Sequence, residues 1–197
     1  MIILVTGGSG SGKSAMAELL MEESPCAVKY YLATMYSGDD EESRKKIERH
    51  RDLRRGKGFH TIERPLDICR AAEEMGTEPP EERGVLLECL STLTANEMFR
   101  EALPEQSEEA IMEEMSKRAE TTAEKILRDI GLLKAAAGDL VIVSDNVFED
   151  GVQYDAGTQA YLKALAKILR ELAARADRVV EVVAGIPMWV KKENSRS

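Results

Sequence analysis

Apolar positions along the chain fall into two rhythms. Ile2-Ile3-Leu4-Val5, Val85-Leu86-Leu87 and Leu140-Val141-Ile142-Val143 are short unbroken runs, the pattern of strands covered on both faces. Val28-Lys29-Tyr30-Tyr31-Leu32-Ala33 and Arg178-Val179-Val180-Glu181-Val182-Val183 are β-branched or aromatic and read as strands too. Between them the step lengthens to three and four. Ala15 to Met21 is built of good helix formers. Ile111, Met115, Ala119, Ala123, Ile126, Ile130 and Leu133 predict one long amphipathic helix over 108–137, and Tyr161, Leu165, Ile168 and Leu172 predict another.

The stretches between are less definite. Pro65 is expected to open a helix over 65–75, residues 94–103 to form a helix ended by Pro104, and 61–63 to be a short strand or loop. A connector over 76–83 and a polar loop through Gly151 and Gly157 complete the reading, with 178–183 the last strand. Strands alternating with helices require a mostly parallel sheet with helices on both faces and right-handed crossovers. The expected architecture is α/β, a three-layer α/β/α sandwich. No repeat or linker divides it, so 1–190 is read as a single domain and 191–197 as a frayed tail.

The first strand runs into Gly7-Gly8-Ser9-Gly10-Ser11-Gly12-Lys13-Ser14, and a helix follows at once. Gly7, four residues, then Gly12-Lys13-Ser14 is the full Walker A spacing. Glycines let the backbone N–H groups turn onto phosphate oxygens, and the helix N-terminus adds its dipole. Lys13 is then expected to reach the β/γ-phosphates and Ser14 to ligate Mg2+. The expected fold class is a P-loop NTPase, RecA-like.

In an open parallel sheet a ligand sits beyond the carboxyl ends of the strands. Glu88 and Asp145 end strands and compete as the acidic partner of Mg2+ beside Ser14. Each could equally be a carboxylate capping a nearby helix.

Charge adds one feature. The net charge of -9 argues against nucleic acid or a membrane surface as a partner. Against that acidity Arg44, Lys45, Lys46, Arg49, Arg51, Arg54, Arg55 and Lys57 crowd a stretch over 41–55 and just beyond, with His50 among them. Such a helix could hold a polyphosphate, and neighbouring cations disfavour protonation of His50, leaving a nucleophilic lone pair. A solvated charged helix with an idle histidine is the alternative. Cys26, Cys69 and Cys89 are odd in number and scattered, which suits reduced packing thiols in a cytoplasm. No apolar stretch is long enough to cross a bilayer, and the first apolar run is too short for a signal peptide.

Ile3-Leu4-Val5-Thr6-Gly7-Gly8 with Gly12-Lys13-Ser14, Tyr31-Leu32-Ala33-Thr34, Ile47-Glu48-Arg49-His50-Arg51, Thr61-Ile62-Glu63-Arg64-Pro65-Leu66, Leu86-Leu87-Glu88-Cys89-Leu90 and Ala184-Gly185-Ile186-Pro187 occur in that order. In this the chain resembles the bifunctional adenosylcobinamide kinase / adenosylcobinamide-phosphate guanylyltransferases of cobalamin assembly. The resemblance implies phosphorylation of adenosylcobinamide by ATP or GTP, followed by transfer of GMP from GTP through a guanylylated His50. It implies that Arg51 and Arg54 grip phosphates, that Ala33, Thr34, Met35, Glu63 and Glu88 line the nucleotide pocket, and that the protein is a homo-oligomer such as a trimer. A P-loop kinase for another small metabolite, or a catalytically reduced nucleotide-binding homologue, is the alternative. The chain departs from the family pattern at Gly10, where an arginine is usual, at Asp145-Asn146, where Asn-Glu is usual, and around Gly157 and Ala160, where arginines are expected.

Overall fold

The computed structural model describes residues 1–36, 56–102, 107–148 and 154–192. His50, Arg51 and Arg54, the helix expected over 41–55, Pro104 and Gly151 lie outside the described residues. The strands are β1 (Ile2–Gly7), β2 (Val28–Ala33), β3 (Phe59–Glu63), β4 (Arg83–Glu88), β5 (Asp139–Asp145), β6 (Arg178–Val183) and β7 (Ile186–Lys191). The helices are α1 (Lys13–Glu22), α2 (Leu90–Met98), α3 (Glu108–Ala135) and α4 (Ala156–Arg175), with single 3-10 segments at Ile68–Glu73 and Pro80–Glu82.

All seven strands join one sheet in the order β3-β2-β4-β5-β1-β6-β7. Every pairing is parallel except that of β6 with β7. This is the mostly parallel, three-layer α/β/α architecture that the alternation predicts. The side-chain period of two divides each strand between layers. Ile3 and Val5 of β1 pack with Ala17, Leu20 and Met21 of α1, while Leu4 points to the other face. There Leu32, Leu87, Leu140 and Ile142 meet Leu90 and Leu93 of α2, Ile126, Ile130 and Leu133 of α3, and Leu165, Ile168 and Leu172 of α4. Each such leucine removed from water contributes ~1.5–3 kcal/mol, so the sheet and its helices cannot be separated cheaply.

Several expectations are corrected. Where a helix was expected over 65–75, only Ile68–Glu73 winds, as a 3-10 segment, because Asp67 before it takes the left-handed φ of 50° and gives its N–H to Glu97. Helix α2 begins at Leu90, so Thr94 is buried inside it with its hydroxyl on the Leu90 carbonyl. Gly157 lies not in a loop but in the first turn of α4, which Asp155 caps by accepting the Thr158 N–H at 3.0 Å. The pattern also missed β7. Ala184 and Gly185, at φ 50° and 81°, turn the chain back as a type I′ hairpin. Lys191, expected in the frayed tail, instead ends β7 and caps α4. Its Nζ donates to the carbonyls of Ala173, Ala174 and Ala176 at 3.3, 3.1 and 2.5 Å.

Candidate functional site

Parallel strands bring their carboxyl ends to one edge, and the register fixes which residues meet there. Gly7 pairs with Asp145, and Glu63, Ala33 and Glu88 stand side by side across β3, β2 and β4. The glycine loop crosses this edge between β1 and α1. A Cβ on Gly7 would lie 2.6 Å from the Val182 carbonyl oxygen, so no side chain fits there. Gly12 caps α1 at φ 93°, and no side chain caps that helix start and no acid occupies its first turn. The first amides of α1 are therefore left for an anion. Gly8, Ser9 and Gly10 are exposed on the loop. From the hairpin tip, the Gly185 N–H donates to the Ser11 carbonyl at 2.8 Å and holds the loop from outside.

The two residues after the loop each meet a carboxylate. Lys13, 8% exposed, places Nζ 2.6 Å from Asp145 Oδ1 and 3.3 Å from the Gly8 carbonyl. The Ser14 hydroxyl donates to Glu88 Oε1 at 2.5 Å. The acids differ in what remains. On Asp145, Oδ2 also accepts from the Ser91 hydroxyl at 2.8 Å and from Cys89 Sγ at 3.5 Å, so both oxygens are engaged. On Glu88, Oε2 is buried with no hydrogen-bond partner.

Titration follows the same division. Burial pushes the Glu88 carboxyl above its ordinary range, and the Ser14 hydroxyl and Lys13 offset only part of that. Burial acts on Asp145 too, but hydrogen bonds from Lys13 and Ser91 outweigh it and hold the group low. A serine hydroxyl beside an unpartnered, buried carboxylate oxygen is a hard-oxygen donor set of the kind Mg2+ takes. Ser14 and Glu88 fit that ion. Asp145, the other candidate ligand, already holds Lys13 on one oxygen and Ser91 and Cys89 on the other, whereas Glu88 Oε2 holds nothing.

Thr34 follows directly on β2. It is fully buried, and its hydroxyl donates to the Cys89 carbonyl at 2.9 Å and accepts the Cys89 N–H at 2.7 Å, tying the end of β2 to the end of β4. Ala33 and Met35 are half-buried beside it, and Glu63 is exposed at the end of β3. Three contributors escaped the sequence reading. Cys89 lies against Asp145 instead of in the core, and Ser91 holds that same carboxylate. Asn96 donates Nδ2 to the Thr34 and Pro65 carbonyls at 2.7 and 3.0 Å, locking the β2 and β3 ends together.

Behind this edge lies a second ionic cluster. Lys125 of α3 places Nζ 2.9 Å from Asp67 Oδ1, 2.6 Å from Glu97 Oε1 and 2.8 Å from Asp129 Oδ2. The three acids are close enough together to hold a metal, but the ammonium already sits among them.

Comparison with known proteins decides the family. The family model described as CobU, cobinamide kinase / cobinamide phosphate guanyltransferase, matches residues 3–190. The chain belongs to this family. A bifunctional adenosylcobalamin biosynthesis protein CobU of Salmonella typhimurium is 34% identical over 97% of this chain and 100% of its own length. CobP, the bifunctional adenosylcobalamin biosynthesis protein of Pseudomonas aeruginosa, is 30% identical over 96% of this chain and 97% of its own. The Escherichia coli CobU is 30% identical over 97% and 100%. Members of the family are transferases, and this chain is one. Among the described residues no helix is long and apolar enough to cross a membrane.

Proposed function

We propose that this protein phosphorylates adenosylcobinamide with a nucleoside triphosphate and then transfers GMP from GTP to the product, giving adenosylcobinamide-GDP. The kinase and guanylyltransferase activities are those of the family. The observation that carries the proposal is the glycine loop with Lys13 and Ser14 each facing a strand-end carboxylate, one of which keeps a bare, buried oxygen.

In the first reaction the hydroxyl of the corrinoid's aminopropanol arm attacks the γ-phosphorus and the nucleoside diphosphate leaves. In the second, a neutral His50 nitrogen attacks the α-phosphorus of GTP, pyrophosphate leaves, and a phosphoramidate forms. A phosphate oxygen of adenosylcobinamide phosphate then attacks that phosphorus and releases the imidazole. All three are in-line displacements, for which positioning and charge neutralisation are the main contributions a protein can make. The loop amides and Lys13 hold the phosphate oxygens, and Arg51 and Arg54 grip them beside His50. Ser14 and Glu88 would hold Mg2+, which supplies positive charge against the phosphates when bound. Ala33, Met35 and Glu63 line the nucleotide pocket, with Thr34 fixing its floor through Cys89.

Incubation with GTP labelled at the α-phosphorus tests this reading. Acid-labile label retained by the wild type and lost in His50→Ala is the expected result. No retention by the wild type, or retention that survives His50→Ala, overturns the histidine route. Phosphate transfer to adenosylcobinamide that is independent of His50 is expected in both. A different hydroxylated acceptor, with adenosylcobinamide refused, would favour a kinase for another metabolite.

A homo-oligomer, such as a trimer, belongs to the same proposal. It is supported by Ile186, Met188 and Val190, exposed along the edge strand β7. Light scattering in solution is the check. The three free cysteines support a cytoplasmic setting.

A further inference from the structure

The loop lysine, whose task is to meet a polyphosphate, already has an anionic partner. Asp145 reaches Lys13 with one oxygen, and Ser91, 4% exposed in the first turn of α2, holds the other. The grip is double, because the Asp145 N–H also points at the Ser91 hydroxyl at 3.5 Å. Asp145 is therefore fixed from the α2 side and cannot swing off Lys13 without giving up Ser91. Glu88 adds a second carboxylate on the other side of the Ser14 hydroxyl. Among the described residues the loop thus presents one ammonium between two acids. The third acid nearby, Glu18, is turned to Lys57 at 2.5 Å.

We propose that Asp145, positioned by Ser91, is a specificity-determining residue: it competes with phosphate for Lys13, so that the site admits a nucleoside triphosphate only as its divalent-cation complex. The proposal rests on the reading that a triphosphate sits on the glycine loop. A bare triphosphate must bring several negative charges against two carboxylates with Lys13 already neutralised. In a half-buried site such repulsion is weakly screened. A divalent ion arriving with the nucleotide finds Glu88 Oε2 unpartnered, offsets the repulsion and lets the phosphate share Lys13. Both Asp145 oxygens already hold donors while Glu88 Oε2 holds none, so the ion is assigned to Glu88 and the lysine to Asp145. An asparagine at the same position would keep the shape and a hydrogen bond to Ser91 but would not neutralise the ammonium.

The test is equilibrium binding of GTP to the wild type, Asp145→Asn, Ser91→Ala and Ser91→Thr, each in Mg2+ and in excess EDTA, with circular dichroism confirming that each variant is folded. The wild type is expected to bind at least about 100-fold more weakly in EDTA than in Mg2+. In Asp145→Asn that ratio falls by about tenfold or more, through stronger metal-free binding. Ser91→Ala moves the ratio the same way by less, and Ser91→Thr restores it. A ratio unchanged in Asp145→Asn overturns the proposal, as does one that falls because Mg2+-dependent binding is lost, since that is the behaviour of a metal ligand. If the wild type binds no GTP even in Mg2+, the nucleotide reading itself fails and takes this one with it.

Discussion

Two clusters in this protein are built from the same parts, a lysine of limited exposure among carboxylates, and they do opposite things. Around Lys125 every acid turns an oxygen to the ammonium, and Glu97 and Asp129 keep only 4% and 3% of their side chains exposed. The arrangement joins the Ile68–Glu73 segment, α2 and α3, and the lysine already occupies the space among its acids. At the glycine loop the pairing is incomplete. Lys13 and Asp145 neutralise each other, but Glu88 keeps a bare oxygen and the loop amides keep their hydrogens. What separates a structural ion cluster from a binding site is therefore not composition or burial but unsatisfied valence.

The contrast breaks most visibly at Lys125. Replacement by methionine strands buried carboxylates, and we expect a loss of ~3–5 kcal/mol of stability in urea unfolding, with nucleotide affinity of the folded fraction unaltered. A loss below ~1 kcal/mol, the scale of an exposed pair, would mean that the cluster is solvated. Glu88→Gln is the counterpart at the loop. It should lower Mg2+-dependent turnover by at least about 100-fold, as removal of a preorganised charge-stabilising group does, while the thermal midpoint holds or rises because a buried ionised group is gone. A fall in the midpoint would make Glu88 a structural acid.

Thr34→Val sharpens the comparison from the scaffold side. The valine leaves the Cys89 N–H without its buried acceptor, which we expect to cost ~1–3 kcal/mol. Because the Thr34 hydroxyl is spent on the Cys89 backbone, the KM for nucleotide should change less than the thermal midpoint suggests.

The smallest effects are those of pH, and the two clusters give opposite signs. Lys125 holds Asp67 below the ordinary 3.8, so Asp67 contributes stability that is complete above that value and is lost as pH falls through its lowered folded pKa. Glu88 is raised above 4.5 by burial. Its relative stabilisation is complete below 4.5 and is lost as pH rises through the raised folded pKa. Comparing unfolding of the wild type with Asp67→Asn and with Glu88→Gln from pH 3 to 7 should give difference curves of opposite slope. Curves of equal slope would dissolve the distinction.

Much of the frame was legible because local pattern and tertiary role agree. The buried runs at Ile2, Val85 and Leu140 became adjacent central strands, and the stripe from Met115 to Leu133 became α3. The failures share a cause. Helix α2 starts at Leu90 behind Cys89, which supplies no side-chain cap, so no start signal stood there. Asp155 and Thr158 did form such a signal for α4, masked by the adjacent Gly157. Strand β7 carries Pro187 and keeps its alternate apolar residues exposed, so neither burial nor propensity marked it. At the site, Lys13 and Ser14 followed from spacing alone. That Asp145 belongs to Lys13 and Glu88 to Ser14 did not, because each pairing depends on strand order and on which carboxylate finds another partner first.

The hairpin between β6 and β7 has a consequence for biogenesis. The glycine loop is among the first segments of this domain to be synthesised, yet the amide that braces it comes from Gly185, near the domain's far end. A nascent chain that has emerged only as far as α4 would carry the nucleotide motif in full and still lack its outer brace. The glycine loop is thus fully braced only once translation has passed Gly185, and a truncation before Gly185 should leave a chain with the same signature and a slack loop.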